Sequence, residues 1–269
     1  MNIAAYQMDI MNGEPAKNRK KVERWIADVR AKGKADILVL PEMWTTAYTL
    51  TELEHLAENE EEVTLTFLKT LALKHDVHLV AGSIATKVND DIFNRAYVIN
   101  DKGKLIYHYD KIHLVPMLDE PRYLTGGKKQ VQSFELNGVK MGVIICFDLR
   151  FPEITRQLAL EGVEVLFVLG EWPAARKDHW TTLLKARAIE NQMYVISSNR
   201  IGSYNNVEFA GNSMIVDPWG EVIIQGSDDQ EETLLASIET EKVKAVRKDV
   251  PVFKCRVPSL YTKSKKDHR

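Results

Sequence analysis

Cysteine is scarce in this 269-residue chain, which has only Cys146 and Cys255. Two cysteines cannot build the disulfide framework of a small secreted domain or a zinc cluster, and they suit a reducing compartment. An excess of either charge is missing too. Lys and Arg total 36 against 38 Asp and Glu, a formal net charge of -2. No basic face is therefore advertised to nucleic acid or anionic lipid. No apolar run approaches the length of a membrane span. The opening "MNIAAYQMDI" lacks the basic-then-apolar pattern of a secretory signal. These absences predict a cytoplasmic protein with no nucleic-acid partner and no membrane partner. Familiar chemical signatures are missing as well: no G-x-G-x-x-G, Walker A, H-E-x-x-H or G-x-S-x-G occurs. "TGGKK" has glycines and lysines but not the phosphate-loop spacing.

What is present is an alternation of short Val/Ile/Leu runs with helical patterns. "NIAAYQ" reads as a first strand. A helix is predicted from Pro15, with Val22, Trp25, Ile26 and Val29 on one face and Gly33 as its stop. "DILVLPE", "VHLVAGS", "VKMGVIIC", "VEVLFVLG" and "MYVISSNR" read as buried strands. "VTLTFLKTLALKH", "PEITRQLALEG" and "DHWTTLLKARAIENQ" read as helices. Two hairpins are predicted, one turning at Asp101-Lys102-Gly103 and one in "NSMIVDPWGEVIIQG". The halves echo each other: "VINDKGKLI" matches "IVDPWGEVI", and "ILVLPEMW" matches "LFVLGEWP". The fold class is therefore α/β, with sheets covered by helices; two sheets face to face with helices outside would suit this mixture of buried strands and hairpins.

Three polar residues stand at the ends of apolar strands: Glu42 after "ILVLP", Lys111 after "LIYHYD" and Cys146 after "VKMGVII". Singly, each has an ordinary explanation as a loop carboxylate, a surface lysine or a core thiol. Together they could hydrolyse an amide. A thiol with an ordinary pKa of about 8.5 needs a base to become a nucleophile. A pocket carboxylate can take that proton and return it to leaving ammonia. A lysine ammonium and the backbone N–H of Phe147 could hold the oxyanion.

The motifs "LPEMW", "YDKIHL" and "CFDLRFPE", in that order, resemble those of the nitrilase superfamily of carbon–nitrogen hydrolases, along nearly the whole chain. The resemblance implies a four-layer α-β-β-α sandwich spanning residues 1–258, with 259–269 as a basic C-terminal tail. It implies a Glu42–Lys111–Cys146 triad, a thioester acyl-enzyme and no metal or organic cofactor. It also implies self-association through outer helices, as a homodimer or larger. Glu120 resembles a second glutamate that many members carry, which would hold Lys111. "EWPAAR", "HWTTLLKARAIENQ", "SSNRIG" and "EFAGNSMIVDPWG" resemble the corresponding stretches of bacterial ω-amidases, a branch that converts 2-oxoglutaramate to 2-oxoglutarate and ammonia.

A small anionic amide substrate needs a cation, and arginine grips a carboxylate in bidentate fashion. Arg176 is favoured for that clamp because its loop should rim the pocket. Arg150 either binds substrate or pairs with Asp148 or Glu153. Trp172 either walls the substrate's methylene chain or packs in the core. His113 is the alternative base of a Cys-His thiol enzyme, and it reads instead as a packed, hydrogen-bonding residue. Other branches remain open as alternatives: deaminated-glutathione amidase, N-carbamoyl amino acid hydrolase or true nitrilase.

Overall fold

The computed structural model describes residues 1–33, 35–59 and 63–261; most of the predicted tail, 262–269, lies outside them. In chain order the elements are β1 (Asn2–Gln7), α1 (Pro15–Lys32), β2 (Ile37–Val39), α2 (Leu53–Leu56), β3 (Glu58–Asn59), α3 (Val63–His75), β4 (His78–Val88), β5 (Asp91–Ile99) and β6 (Leu105–Asp110). Then follow α4 (Glu120–Tyr123), β7 (Phe134–Leu136), β8 (Val139–Ile145), α5 (Pro152–Leu160), β9 (Val165–Gly170), α6 (Lys177–Asn191) and β10 (Tyr194–Asn199). The chain closes with β11 (Ser203–Tyr204), β12 (Val207–Glu208), β13 (Met214–Val216), β14 (Val222–Gln225), β15 (Glu232–Ser237) and α7 (Glu241–Asp249).

Two large sheets carry the architecture. The first runs β15-β1-β2-β4-β5-β6, with β3 beside β4; the second runs β7-β8-β9-β10-β13-β14. Strand directions repeat. In each order the successive pairings are antiparallel, parallel, parallel, antiparallel, antiparallel. The echo in the sequence is thus an echo in topology: β2 corresponds to β9, and the β5–β6 hairpin to β13–β14.

Alternation along the strands sets the layers. Ile3, Ala5, Ile37, Val39 and Val80 share one core with residues of the second sheet such as Ile145, Phe167 and Leu169. Their neighbours Ala4, Tyr6, Leu38, Leu40 and Leu79 face the other way, onto Val22, Trp25 and Ile26 of α1 and Leu68 and Leu71 of α3. Leu158 of α5 and Leu184 and Ala188 of α6 cover the second sheet's far side. The result is the predicted α-β-β-α sandwich. Each fully buried Leu, Ile, Val or Phe contributes about 1.5–3 kcal/mol, so the strand ends that border this core are firmly fixed.

Eight elements went unpredicted: the short α2, β3, α4, β7, β11 and β12, and the longer β15 and α7. Strand "ILVLPE" is also shorter than expected, since β2 stops at Val39 and Glu42 lies three residues beyond it. Among the described residues no helix is long and apolar enough to cross a membrane.

Candidate active site

Parallel strands β2, β8 and β9 point their C-terminal ends to one place, where such sheets present functional side chains. Glu42 follows β2, Cys146 follows β8 and Glu171 follows β9. Lys111 arrives from β6. Asp110 just before it is clamped by the Arg95 guanidinium at 2.6 and 3.0 Å, and the Lys111 N–H donates to Asn94 O at 2.9 Å.

Cys146 opens a 3₁₀ turn, Cys146–Arg150, with φ +45°. A non-glycine residue in this left-handed region is uncommon and costs energy unless its surroundings hold it. Asp148 does the holding. Its Oδ2 accepts from Ile145 N–H at 3.1 Å and Tyr109 OH at 2.8 Å. Its Oδ1 accepts from His113 N–H at 3.1 Å and lies 2.8 Å from His113 Nδ1. Arg187 adds a second brace, donating through Nη2 to Leu149 O at 2.7 Å.

Lys111, Glu42 and Glu120 are all fully buried. Lys111 Nζ donates to Glu42 Oε1 at 2.9 Å and to Glu120 Oε1 at 2.7 Å. Asn94 Nδ2 donates to Glu42 Oε1 at 2.8 Å, and the Glu171 N–H donates to Glu42 Oε2 at 2.8 Å. Glu120 Oε2 accepts from Val115 N–H at 2.7 Å. The Tyr48 hydroxyl donates to Glu120 and accepts from Lys111 Nζ at 3.2 Å. The Cys146 thiol lies against the Glu42 carboxylate.

Burial and the charge of Glu42 push the Cys146 thiol well above its ordinary range, with Lys111 pulling the other way. The resting sulfur is therefore a thiol rather than a thiolate. For Lys111, burial favours losing the proton, but Glu120 and Glu42 more than offset it and hold the ammonium well above its usual range. Burial also raises Glu120 and Tyr48. Two carboxyl groups share one fully buried ammonium, an arrangement suited to holding and moving a single proton.

A small pocket opens onto the sulfur. It is lined by Cys146, Phe147, Arg150, Glu171, Trp172 and Arg176, together with Met117 and Leu118. The predicted pocket residues thus converge. Arg150 makes no ion pair with Asp148 or Glu153 among the described residues. Its guanidinium lies 4.6 Å over the Trp172 ring and 3.4 Å from His179 Nδ1. Trp172 lines the pocket and packs on Trp180 at 5.3 Å, donating from Nε1 to Arg176 O at 2.8 Å. His113 stacks on Phe151 with centroids 3.5 Å apart, a packed role as expected. Cys255 is exposed.

Sequence reasoning overlooked Tyr48, Asn94 and Glu171. Tyr48 lies in an irregular loop, and its approach to Glu120 depends on a fold spanning 72 residues. For Glu171 a signal existed: "VLGE" repeats "VLPE", and the two glutamates occupy corresponding places on the two sheets.

The carbon-nitrogen hydrolase family model matches residues 2–248. The chain is 44% identical over 251 residues to the 2-oxoglutaramate amidase of Bacillus subtilis (strain 168), covering 93% of this chain and 95% of that one. It is 47% identical over 227 residues to a Staphylococcus lugdunensis protein named hydrolase in agr operon, covering 84% and 97%. Among solved structures it resembles Saccharomyces cerevisiae Nit3, a member of branch 10 of the nitrilase superfamily. That likeness has a TM-score of 0.88 and 26% identity, covering 95% of this chain and 96% of that one. This chain belongs to the carbon-nitrogen hydrolase family.

Proposed function

We propose that this protein is a cysteine-dependent amidase for the ω-amide of a small 2-oxo acid, 2-oxoglutaramate being the leading substrate. The observation that carries this reading is the meeting of a thiol, a buried carboxylate and a buried ammonium beside two arginines that lack carboxylate partners among the described residues. The relative named 2-oxoglutaramate amidase, at 44% identity, supports the substrate class.

In the proposed reaction Glu42 takes the Cys146 thiol proton as sulfur attacks the amide carbon. The carbonyl electrons move onto oxygen, which Lys111 and the Phe147 N–H stabilise; one such donor is typically worth about 3–4 kcal/mol. Collapse breaks the C–N bond, and Glu42 returns the proton to nitrogen, so ammonia leaves and a thioester remains. Water then attacks the thioester, giving its proton to Glu42, and the acid departs as the thiol reforms. Glu120 and Tyr48 hold Lys111. Arg150 and Arg176 receive the substrate carboxylate, and Trp172 covers its methylene chain.

Mass spectrometry of the protein mixed with 2-oxoglutaramate tests the mechanism. The wild type should carry an acyl adduct that Cys146→Ala lacks. Glu42→Gln should lower turnover by about 10²–10⁴-fold, with only partial loss for His113→Asn. If His113→Asn abolished turnover while Glu42→Gln spared it, the Cys-His alternative would replace this reading. We also propose a homodimer or larger assembly through the outer helices of the second sheet.

A further inference from the structure

Glu171 is used by none of these steps, yet it lines the same pocket as Cys146. Its side chain is fully buried. Oε2 lies 3.4 Å from Arg200 Nη1, a weak contact. Arg200 is committed elsewhere, donating to Ile201 O and Ile10 O at 3.0 Å and covering the Phe209 ring at 4.3 Å. Among the described residues Oε1 has no hydrogen-bond partner. A buried polar atom left unpaired is costly, and such atoms call for a reason.

The substrate class supplies one. In a 2-oxo acid ω-amide, the amide oxygen is matched to Lys111 and Phe147, its nitrogen to Glu42, and the carboxylate to the arginines. One polar atom remains without a partner, the 2-oxo oxygen, which can only accept. We propose that Glu171 is a specificity-determining residue whose carboxyl O–H donates to the 2-oxo oxygen of the bound substrate. This rests on the substrate reading given above.

The surroundings keep the carboxyl protonated at neutral pH. Burial raises its pKa to about 8; Arg200 opposes the rise, Glu42 adds to it and Lys111 opposes it. Cys146, Arg150 and Arg176 are the other ionisable groups of the pocket. Below pH about 8 the group is a neutral donor. Above it the donor is lost, and a negative charge faces an anionic substrate.

The test compares kcat/KM for 2-oxoglutaramate and for glutaramate, which lacks the oxo group. The wild type should prefer the oxo-amide, and Glu171→Leu should lower that preference about tenfold, the worth of one ordinary hydrogen bond. Glu171→Gln, which still donates, should retain it. The wild-type preference should also fall as pH rises through about 8, while that of Glu171→Gln should not. Equal losses on both substrates in Glu171→Leu would make Glu171 structural and overturn the inference while sparing the amidase reading. A wild type without preference for the oxo-amide would also overturn it, and the acyl adduct at Cys146 would still decide the mechanism separately. Should Glu171→Leu not fold, parallel pH profiles for wild type and Glu171→Gln would overturn the inference.

Discussion

The ammonium of Lys111 lies between two carboxylates, and none of the three side chains reaches solvent. Their attraction offsets a desolvation cost that each ion would otherwise meet alone. Removing the lysine leaves Glu42 and Glu120 facing each other without a counter-charge. Lys111→Met should therefore lose about 3–5 kcal/mol of stability, read from urea unfolding. Adding Glu120→Gln should return part of that loss while activity stays absent, because no cation remains for the oxyanion. A double variant no more stable than Lys111→Met would show that charge burial is not the cause. Glu42, Lys111, Cys146 and Glu120 were legible because short motifs surround them and their order along the chain is informative. Tyr48 and Asn94 were not. Each is an ordinary residue in its local sequence, and it is the long-range fold that brings Asn94 to Glu42 and Tyr48 to Lys111 and Glu120.

Among the elements, the bend in β4 shows how a strand places a catalytic candidate on its neighbour. The β4–β5 register shifts between Val80 and Ser83, and Gly82 there has φ +65°, the signature of a bulge. The bulge grips the segment that carries Glu42. Ser83 N–H donates to Pro41 O at 3.1 Å, and Met43 N–H donates to Ser83 Oγ at 2.9 Å. A Cβ on Gly82 would sit 2.3 Å from Pro41 O and 2.5 Å from Trp44 Cδ1. Gly82→Ala should thus cost roughly 1–3 kcal/mol by overpacking and lower kcat by shifting Glu42. Thermal unfolding and steady-state kinetics check the two parts, and an unchanged kcat would mean that the Glu42 loop is held independently of the bulge. Helix boundaries were easier to read. Pro15 and Gly33 bracket α1 as predicted, since proline suits a first turn and glycine a stop. Strand β15 was not legible. Only Leu234 of its six residues is buried, and its partner β1 lies some 230 residues earlier, beyond any local pattern.

At the scale of the molecule, the two sheets repeat one topology, and the helices outside both carry exposed apolar side chains. Near α6, Ile189 is 55% exposed and Trp219 47% exposed. The turn at Gly220, which follows Trp219, packs on Ile189. Leu160 at the end of α5 is 48% exposed, and Val250 after α7 is 42% exposed. Exposed apolar groups of this kind favour association, since burying them removes hydrocarbon from water. The assembly proposed above would bury these outer helices. A charge at its centre should be hard to bury, so Ile189→Asp should convert the assembly to monomers. Sedimentation velocity at micromolar concentration checks this, with circular dichroism confirming that the variant is folded. On the first sheet, Leu73 of α3 is 61% exposed and packs against the turn at Gly103 in the corresponding way. Leu73→Asp is therefore the matched control, and it should leave the assembly intact. If Leu73→Asp dissociated the protein and Ile189→Asp did not, the interface would lie on the first sheet's helices instead.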